Sequence, residues 1–297
     1  MSSARLRLAC ARLRRLLGPI IPRTPAALAG ADGRLRRVAG RIRIDVEGGI
    51  GWLVFDHPER HNAISVEMWE EIPRAAQRLD LDPAVRVVVL RGAGGEAFVS
   101  GADISEFAET RTGAAAASYE DRNARAYLAL AGLQKPVLAM IQGYCIGGGV
   151  AMSLTADLRY ASDDAVFAIP AARLGIGYAV GGLESLIRVV GVSAAKELFF
   201  TARRFSAQEA LRMGLVSHVL PRAELLPWVH DTAARIAENA PLTVRSVKRI
   251  AAELAKDPAE RDLAAAQASV RACLESEDYR EGMRAFLEKR PPVFRGR

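Results

Sequence analysis

Two short glycine-bearing segments hold the residues best placed for chemistry: Phe98-Val99-Ser100-Gly101-Ala102-Asp103-Ile104 and Gly143-Tyr144-Cys145-Ile146-Gly147-Gly148-Gly149-Val150. Each follows an apolar, strand-like run and precedes a helix-like one. Backbone N–H groups at such a helix start have no intrahelical acceptor and sit at the positive end of the helix dipole. Small side chains let a ligand come close to that backbone. Two such turns facing each other would form a pocket for an oxygen that gains negative charge during a reaction. A single GGG run, by contrast, is equally well read as a tight strand-to-helix turn. Neither segment has the G-x-G-x-x-G spacing of a dinucleotide site, the Gly175–Gly181 stretch departs from it too, and no Walker loop is present.

Side chains that transfer protons or bind metals offer less. The four histidines (His57, His61, His218, His230) form no i,i+4 pair on a helix, and the three cysteines (Cys10, Cys145, Cys273) are widely spaced without a CxxC pair. No metal site is expected, and the thiols are read as reduced. His57 and His61 fall in one loop and are of the residue type used in acid–base chemistry. Tyr178, in Leu174-Gly175-Ile176-Gly177-Tyr178, is a further candidate.

The elements that must position these loops can be read from periodicity. Ile42 to Val46 and Ile50 to Phe55 alternate about Gly48-Gly49, which predicts a β-hairpin. Ser65 caps a predicted helix running to about Leu79, with Met68, Ile72, Ala75 and Leu79 on one face and a kink expected at Pro73. A strand over Val85 to Leu90, a glycine-rich loop from Gly92 to Gly101, a helix ending near Leu133 and a strand over Pro136 to Ile141 follow. A helix opening at the GGG turn runs through Ala156, then short strands are expected at Leu158–Tyr160 and Val166–Ile169. Beyond Gly182 only helices are predicted: a capping box at Ser206 and Glu209, and helices near 222–239, 241–255, 258–275 and 278–289. The fold class is α/β, with helices gathered at the C-terminus.

The chain's net charge of +7 is unevenly spread. Residues 1–43 hold eleven arginines and one acid, net +10, which leaves a body of net −3. A basic tail without stacking aromatics is no reading head for nucleic acid. The leader resembles a transit peptide in composition, with Leu6, Leu13 and Leu17 on one possible helical face. A frayed extension of a cytoplasmic protein is the plainer reading, and the mitochondrial matrix is the alternative. No segment has the roughly 18 uninterrupted apolar residues of a membrane span.

Taken together, the motifs resemble the crotonase (enoyl-CoA hydratase/isomerase) superfamily over residues 42–297. The resemblance rests on His57-Pro58-Glu59-Arg60-His61-Asn62-Ala63, Ser100-Gly101-Ala102-Asp103-Ile104, the GGG turn, Phe205-Ser206-Ala207-Gln208-Glu209-Ala210 with Met213-Gly214-Leu215-Val216, and the run from Arg280 to Arg290. It implies a crotonase-like spiral of ββα units with a C-terminal helical oligomerisation module, divided here into a 1–41 extension, a 42–235 core and a 236–297 module. It also implies an acyl-CoA substrate with no separate cofactor, and a homotrimer or dimer of trimers. An oxyanion hole would come from the N–H groups of Ala102 and Gly148. Coenzyme A contacts would come from Ser100, Asp103 and Ile104, with Phe286 and Lys289 reaching the coenzyme of a neighbouring subunit.

The sequence departs from what the resemblance implies for a hydratase. The two positions at which a hydratase carries glutamates hold Ala151 and Ala171, and a missing general acid or base commonly costs 10²- to 10⁴-fold. Ala179 stands where dienoyl-CoA isomerases place an aspartate. Tyr178 matches a tyrosine of methylmalonyl-CoA decarboxylases, although those enzymes carry histidine where this chain has Ala102. A lyase of hydratase-like type, a malonyl-type decarboxylase using Tyr178 and a non-catalytic acyl-CoA binder are the readings the sequence leaves open.

Overall fold

The computed structural model describes residues 40–103, 106 and 114–297. The leader's helical face and Ile104 lie outside the described residues. The chain enters through β1 (Arg41–Glu47), which pairs antiparallel with β2 (Ile50–Asp56) across Gly48 and Gly49. Both glycines have positive φ, 54° and 82°, as a two-residue hairpin turn requires. Helix α1 (Val66–Leu81) starts at Ser65, whose side chain accepts from the Met68 N–H, and buries Met68, Trp69, Ile72, Ala75, Ala76 and Leu79 along one stripe. Pro73 lies inside α1, whose span continues to Leu81, so the proline removes a hydrogen bond without ending the helix.

From here the chain winds as a spiral of ββα turns between two sheets. In the first turn β3 (Val87–Gly92) joins a six-stranded sheet, β4 (Ala97–Val99) joins a four-stranded one, and α2 (Ala114–Ala131) follows. The second turn repeats this with β5 (Val137–Ile141), β6 (Tyr144–Ile146) and α3 (Gly148–Leu154). The third uses β7 (Leu158–Ser162), β8 (Val166–Ala168), α4 (Ala171–Leu174) and α5 (Val180–Thr201). Helix α5 is broken at Gly191, where φ is 77° and ψ is 166°.

The expectation that strands stop after Ile169 is corrected by β9 (Phe205–Ser206) and β10 (His218–Leu220), which flank α6 (Ala207–Arg212). β9 pairs antiparallel with β8, and β10 adds to the free edge of β7. Each is only two or three residues long and takes its strand geometry from its partner. Helices α7 (Arg222–Glu238), α8 (Pro241–Leu254), α9 (Leu263–Glu275) and α10 (Glu277–Glu288) complete the chain. The predicted helix over 258–275 is a short 3-10 turn at Pro258–Glu260 followed by α9, which Asp262 caps through the Ala265 N–H.

The six strands lie in the order β1-β2-β3-β5-β7-β10, and the central strands bury both faces. Leu53, Phe55, Val88 and Leu90 point into a core shared with α1, α2 and the smaller sheet, while Trp52, Val54, Val87 and Val89 pack under α7. A parallel sheet covered on both sides explains the near-continuous apolar runs of its central strands. Among the described residues no helix is long and apolar enough to cross a membrane.

Candidate active site

The two glycine segments are the ends of neighbouring strands. β4 and β6 pair in parallel, with Ala97 opposite Tyr144 and Val99 opposite Cys145. Their C-terminal turns therefore emerge side by side, one strand spacing apart, roughly 4.8 Å. The turns touch. A Cβ built on Gly101 would lie 3.9 Å from Gly148 N, and one built on Gly148 would lie 3.8 Å from Ala102 N.

Each turn is fixed by bonds that do not use its key N–H. Ile64 and Ala102 form a parallel bridge in which Ile64 N–H donates to Gly101 O at 2.8 Å and Asp103 N–H donates to Ile64 O at 3.0 Å. In such a bridge the N–H of the bridged residue itself, here Ala102, faces the opposite side. On the second turn, Gly147 has φ 53° and ψ −110°, donates to Ala168 O at 2.8 Å, and accepts from Val150 and Ala151. Gly148 is the first residue of α3, so its N–H has no intrahelical acceptor. Gly149 sits hard against β4: a Cβ there would stand 2.1 Å from Val99 O. The backbone packing demands glycine at that position, whereas Gly148 faces the space between the loops.

The segment from His57 to Ala63 braces the first turn. Asn62 is wholly buried with φ 56°; its Oδ1 accepts from His57 N–H at 3.0 Å, and its Nδ2 donates to Ala93 O at 3.0 Å and Ala97 O at 2.8 Å. His57 Nδ1 lies 2.9 Å from Ala63 O. A carbonyl only accepts, so Nδ1 carries the proton and the ring is committed to closing its own loop. Ser100 N–H donates to His61 O at 3.1 Å, and Ser100 Oγ donates to Arg60 O at 3.2 Å. Asp103 is buried, with Arg60 Nη1 at 3.5 Å from its Oδ1.

Ser100, Ala102, Asp103 and Gly148 thus come together on two adjoining turns. Ala171 opens α4 and Ala151 lies in the first turn of α3, and a Cβ on Gly147 would come 3.9 Å from Pro170 Cδ. Both alanines therefore border the GGG turn, and neither side chain can transfer a proton. Tyr178 precedes α5; its ring meets Phe199 edge-on at 4.7 Å, and burial pushes its phenol up to about 12. Phe286 and Lys289 belong to the exposed side and end of α10, where Lys289 has φ 51°. Burial likewise pushes the Cys145 thiol far above its usual range, which makes it a packing group.

One residue near the turns carries no sequence signal of its own. Tyr127, on α2, packs edge-on against Trp69 at 5.4 Å, and its hydroxyl stands 3.4 Å from the Cβ position of Gly148. In the sequence it reads only as one more helical residue before a strand. The whole arrangement, with two N–H groups on facing turns and few ionisable side chains, suits holding a carbonyl oxygen better than attacking one.

Comparison with known proteins identifies the family. The family model for enoyl-CoA hydratase/isomerase matches residues 45–297. The short-chain-enoyl-CoA hydratase of Clostridium acetobutylicum is 34% identical over 249 residues, covering 84% of this chain and 95% of that protein. The carnitinyl-CoA dehydratase of Escherichia coli O157:H7 is 34% identical, covering 86% and 98% of the two chains. Among solved structures, an enoyl-CoA hydratase/carnithine racemase from Magnetospirillum magneticum superposes with a TM-score of 0.82 at 33% identity, covering 86% of this chain and 96% of that one. The chain belongs to the enoyl-CoA hydratase/isomerase family, within the crotonase superfamily.

Proposed function

We propose that the protein is an acyl-CoA enzyme in which the N–H groups of Ala102 and Gly148 hold the thioester oxygen and stabilise the enolate formed from it. The observation that carries this reading is the close approach of the two turns, with the Ala102 N–H on the far side of its bridge and the Gly148 N–H at the start of a helix. Donors fixed in advance need no reorganisation as charge develops, and each such donor contributes roughly 3 kcal/mol at the transition state. Binding energy comes from the remote coenzyme A portion, with Ser100, Asp103 and Ile104 at its adenine end and Phe286 and Lys289 supplied by a neighbouring subunit. Coenzyme A enters as part of the substrate, and no separate cofactor is required.

The reaction is of the lyase type, without the paired glutamates of ordinary hydration. Ala151 and Ala171 remove the two proton-transfer groups, so crotonyl-CoA hydration is expected at least 10²-fold below ordinary enzyme rates. A second reading, decarboxylation of a malonyl-type CoA, rests on the two alanines in place of glutamates together with Tyr178, whose neutral phenol can donate to a carboxylate. Loss of CO₂ leaves its electron pair on the α-carbon, so no base is needed to reach the enolate. The exposed Val247, Leu254, Leu263, Leu274 and Leu287 on the last helices support assembly into a homotrimer or a dimer of trimers. We place the protein in the cytoplasm, with no nucleic-acid or membrane partner.

The test is incubation of the purified protein with crotonyl-CoA and with methylmalonyl-CoA, with mass spectrometry of the products and coenzyme A binding measured in parallel. Fast hydration of crotonyl-CoA would overturn the argument from the two alanines. CO₂ release that is lost in Tyr178→Phe would select the decarboxylase. Tight coenzyme A binding with no turnover of these or a wider series of acyl chains would select the non-catalytic acyl-CoA binder.

A further inference from the structure

We infer that Tyr127 is a substrate-contacting residue, whose phenol hydroxyl is a third hydrogen-bond donor to the thioester oxygen beside the N–H groups of Ala102 and Gly148. The inference rests on the oxyanion reading above. Its starting point is geometric: the Cβ position of Gly148 has Tyr127 Oη at 3.4 Å, Ala102 N at 3.8 Å and Gly101 Cα at 3.8 Å. One methyl-sized volume therefore borders both turns and a hydroxyl. A carbonyl oxygen that accepts from two backbone N–H groups there lies beside the phenol.

The hydroxyl is held by its surroundings. Tyr127 sits in the body of α2, and its ring is packed edge-on against Trp69, which is buried and whose Nε1–H donates to Tyr119 Oη at 3.2 Å. Trp69 in turn belongs to the buried stripe of α1. A rigid aromatic side chain with two torsions, fixed on both its helix and its ring face, delivers a donor at little entropic cost. A phenol hydrogen-bonded to an oxyanion is shorter and stronger than one bonded to a neutral carbonyl, so its contribution grows as the enolate forms.

The residue also answers a need that the sequence creates. Ala151 and Ala171 cannot transfer a proton or donate a side-chain hydrogen bond beside the GGG turn, and a neutral donor there stabilises the enolate without a formal charge. Tyr178, the other tyrosine considered, has its ring engaged with Phe199 and Gly182 on α5 instead.

The experiment uses the full-length protein and butyryl-CoA labelled with ¹³C at the thioester carbonyl, which has no double bond to hydrate. Infrared difference spectra report how strongly the bound carbonyl is polarised, and calorimetry reports affinity for coenzyme A alone. Tyr127→Phe keeps the ring against Trp69 and removes only the hydroxyl; Tyr119→Phe is the control for disturbance of α2. The wild type is expected to shift the carbonyl band to lower frequency. Tyr127→Phe should lose roughly a third of that shift if three donors share the oxygen equally, with coenzyme A affinity unchanged. Tyr119→Phe should keep the shift. A wild-type shift retained in full by Tyr127→Phe overturns the role of Tyr127 and leaves the two N–H donors standing. A loss of shift as large in Tyr119→Phe overturns it too, because α2 packing and not the hydroxyl would be responsible. No shift in the wild type would remove the oxyanion reading itself, and this inference with it.

Discussion

Gly148 and Gly149 are adjacent, yet alanine at each should produce opposite phenotypes. At Gly149 the added methyl would lie 2.1 Å from the Val99 carbonyl oxygen and 3.0 Å from its carbon. Ordinary contact begins near 3.5 Å, so the start of α3 must move away from β4 by more than about 1 Å. Both colliding partners are backbone, and β4 is held on its other side by the ladder to β6. Strain of this kind reaches the upper end of overpacking costs, about 3 kcal/mol, which for a domain of this size lowers the melting temperature by roughly 6–12 °C. At Gly148 the nearest atoms are at 3.4 and 3.8 Å, the φ angle is not positive, and the stability change should stay within about 1 kcal/mol. The methyl would instead fill the space between the two turns. Thermal unfolding by circular dichroism and calorimetric titration with butyryl-CoA separate the cases: Gly148→Ala should bind at least about tenfold more weakly, near 1.4 kcal/mol, while melting like the wild type. Equal destabilisation by the two substitutions, or a Gly149→Ala protein that melts like the wild type, would refute the assignment of one glycine to packing and the other to the site.

Other consequences are open to direct measurement. Arg290, Arg284 and the Val293 N–H hold the Glu281 carboxyl well below the usual range, so its stabilisation is complete above the unfolded carboxylate pKa and fades as pH falls through the depressed folded value. The melting-temperature advantage of the wild type over Glu281→Gln should therefore shrink below about pH 4 and be constant above about pH 5; a difference independent of pH would contradict this. Asp278, almost wholly buried, accepts from the N–H groups of Arg295 and Gly296 at 2.6 and 2.7 Å. Asp278→Ala should cost about 2 kcal/mol and expose residues 293–297 to carboxypeptidase, and a tail that stays protected would show another anchor at work. Ultraviolet titration should find the Tyr178 phenolate only near pH 12, as the component missing from Tyr178→Phe; ionisation near pH 10 would mean that the ring is not buried as described.

Long elements were legible from the sequence because each carries its own period. The hairpin alternates about two glycines, α1 shows a cap and an apolar stripe, and the Ser206–Glu209 capping box is formed as the spacing predicts, with both reciprocal bonds present. The elements that escaped are short. β4, β6, β9 and β10 have two or three residues each, too few for any period, and their geometry is imposed by a neighbouring strand. The glycine turns were visible as candidate donors, since composition alone marks a backbone that can be approached. Their mutual distance was not, because it depends on the parallel pairing of segments more than forty residues apart. Tyr127 was invisible for the same reason: its nearness to Gly148 is a tertiary contact between a helix and a turn, and nothing in the residues around it differs from an ordinary helix.

The donors that the two turns present are main-chain atoms, and this shapes how the protein can change over time. A point substitution rewrites a side chain but leaves the peptide N–H in place, unless it introduces proline or forces the backbone aside. Under the proposed reading, the pair of donors at Ala102 and Gly148 is therefore shielded from most single-nucleotide changes, while side chains beside the GGG turn, such as those at 151 and 171, can vary in proton-transfer chemistry. On that reading, a lineage carrying this scaffold can lose one reaction and acquire another without dismantling the backbone that would hold the thioester. The alanines at 151 and 171 sit beside turns whose bracing hydrogen bonds are in place, so what the chain lacks in acids and bases it has not lost in architecture.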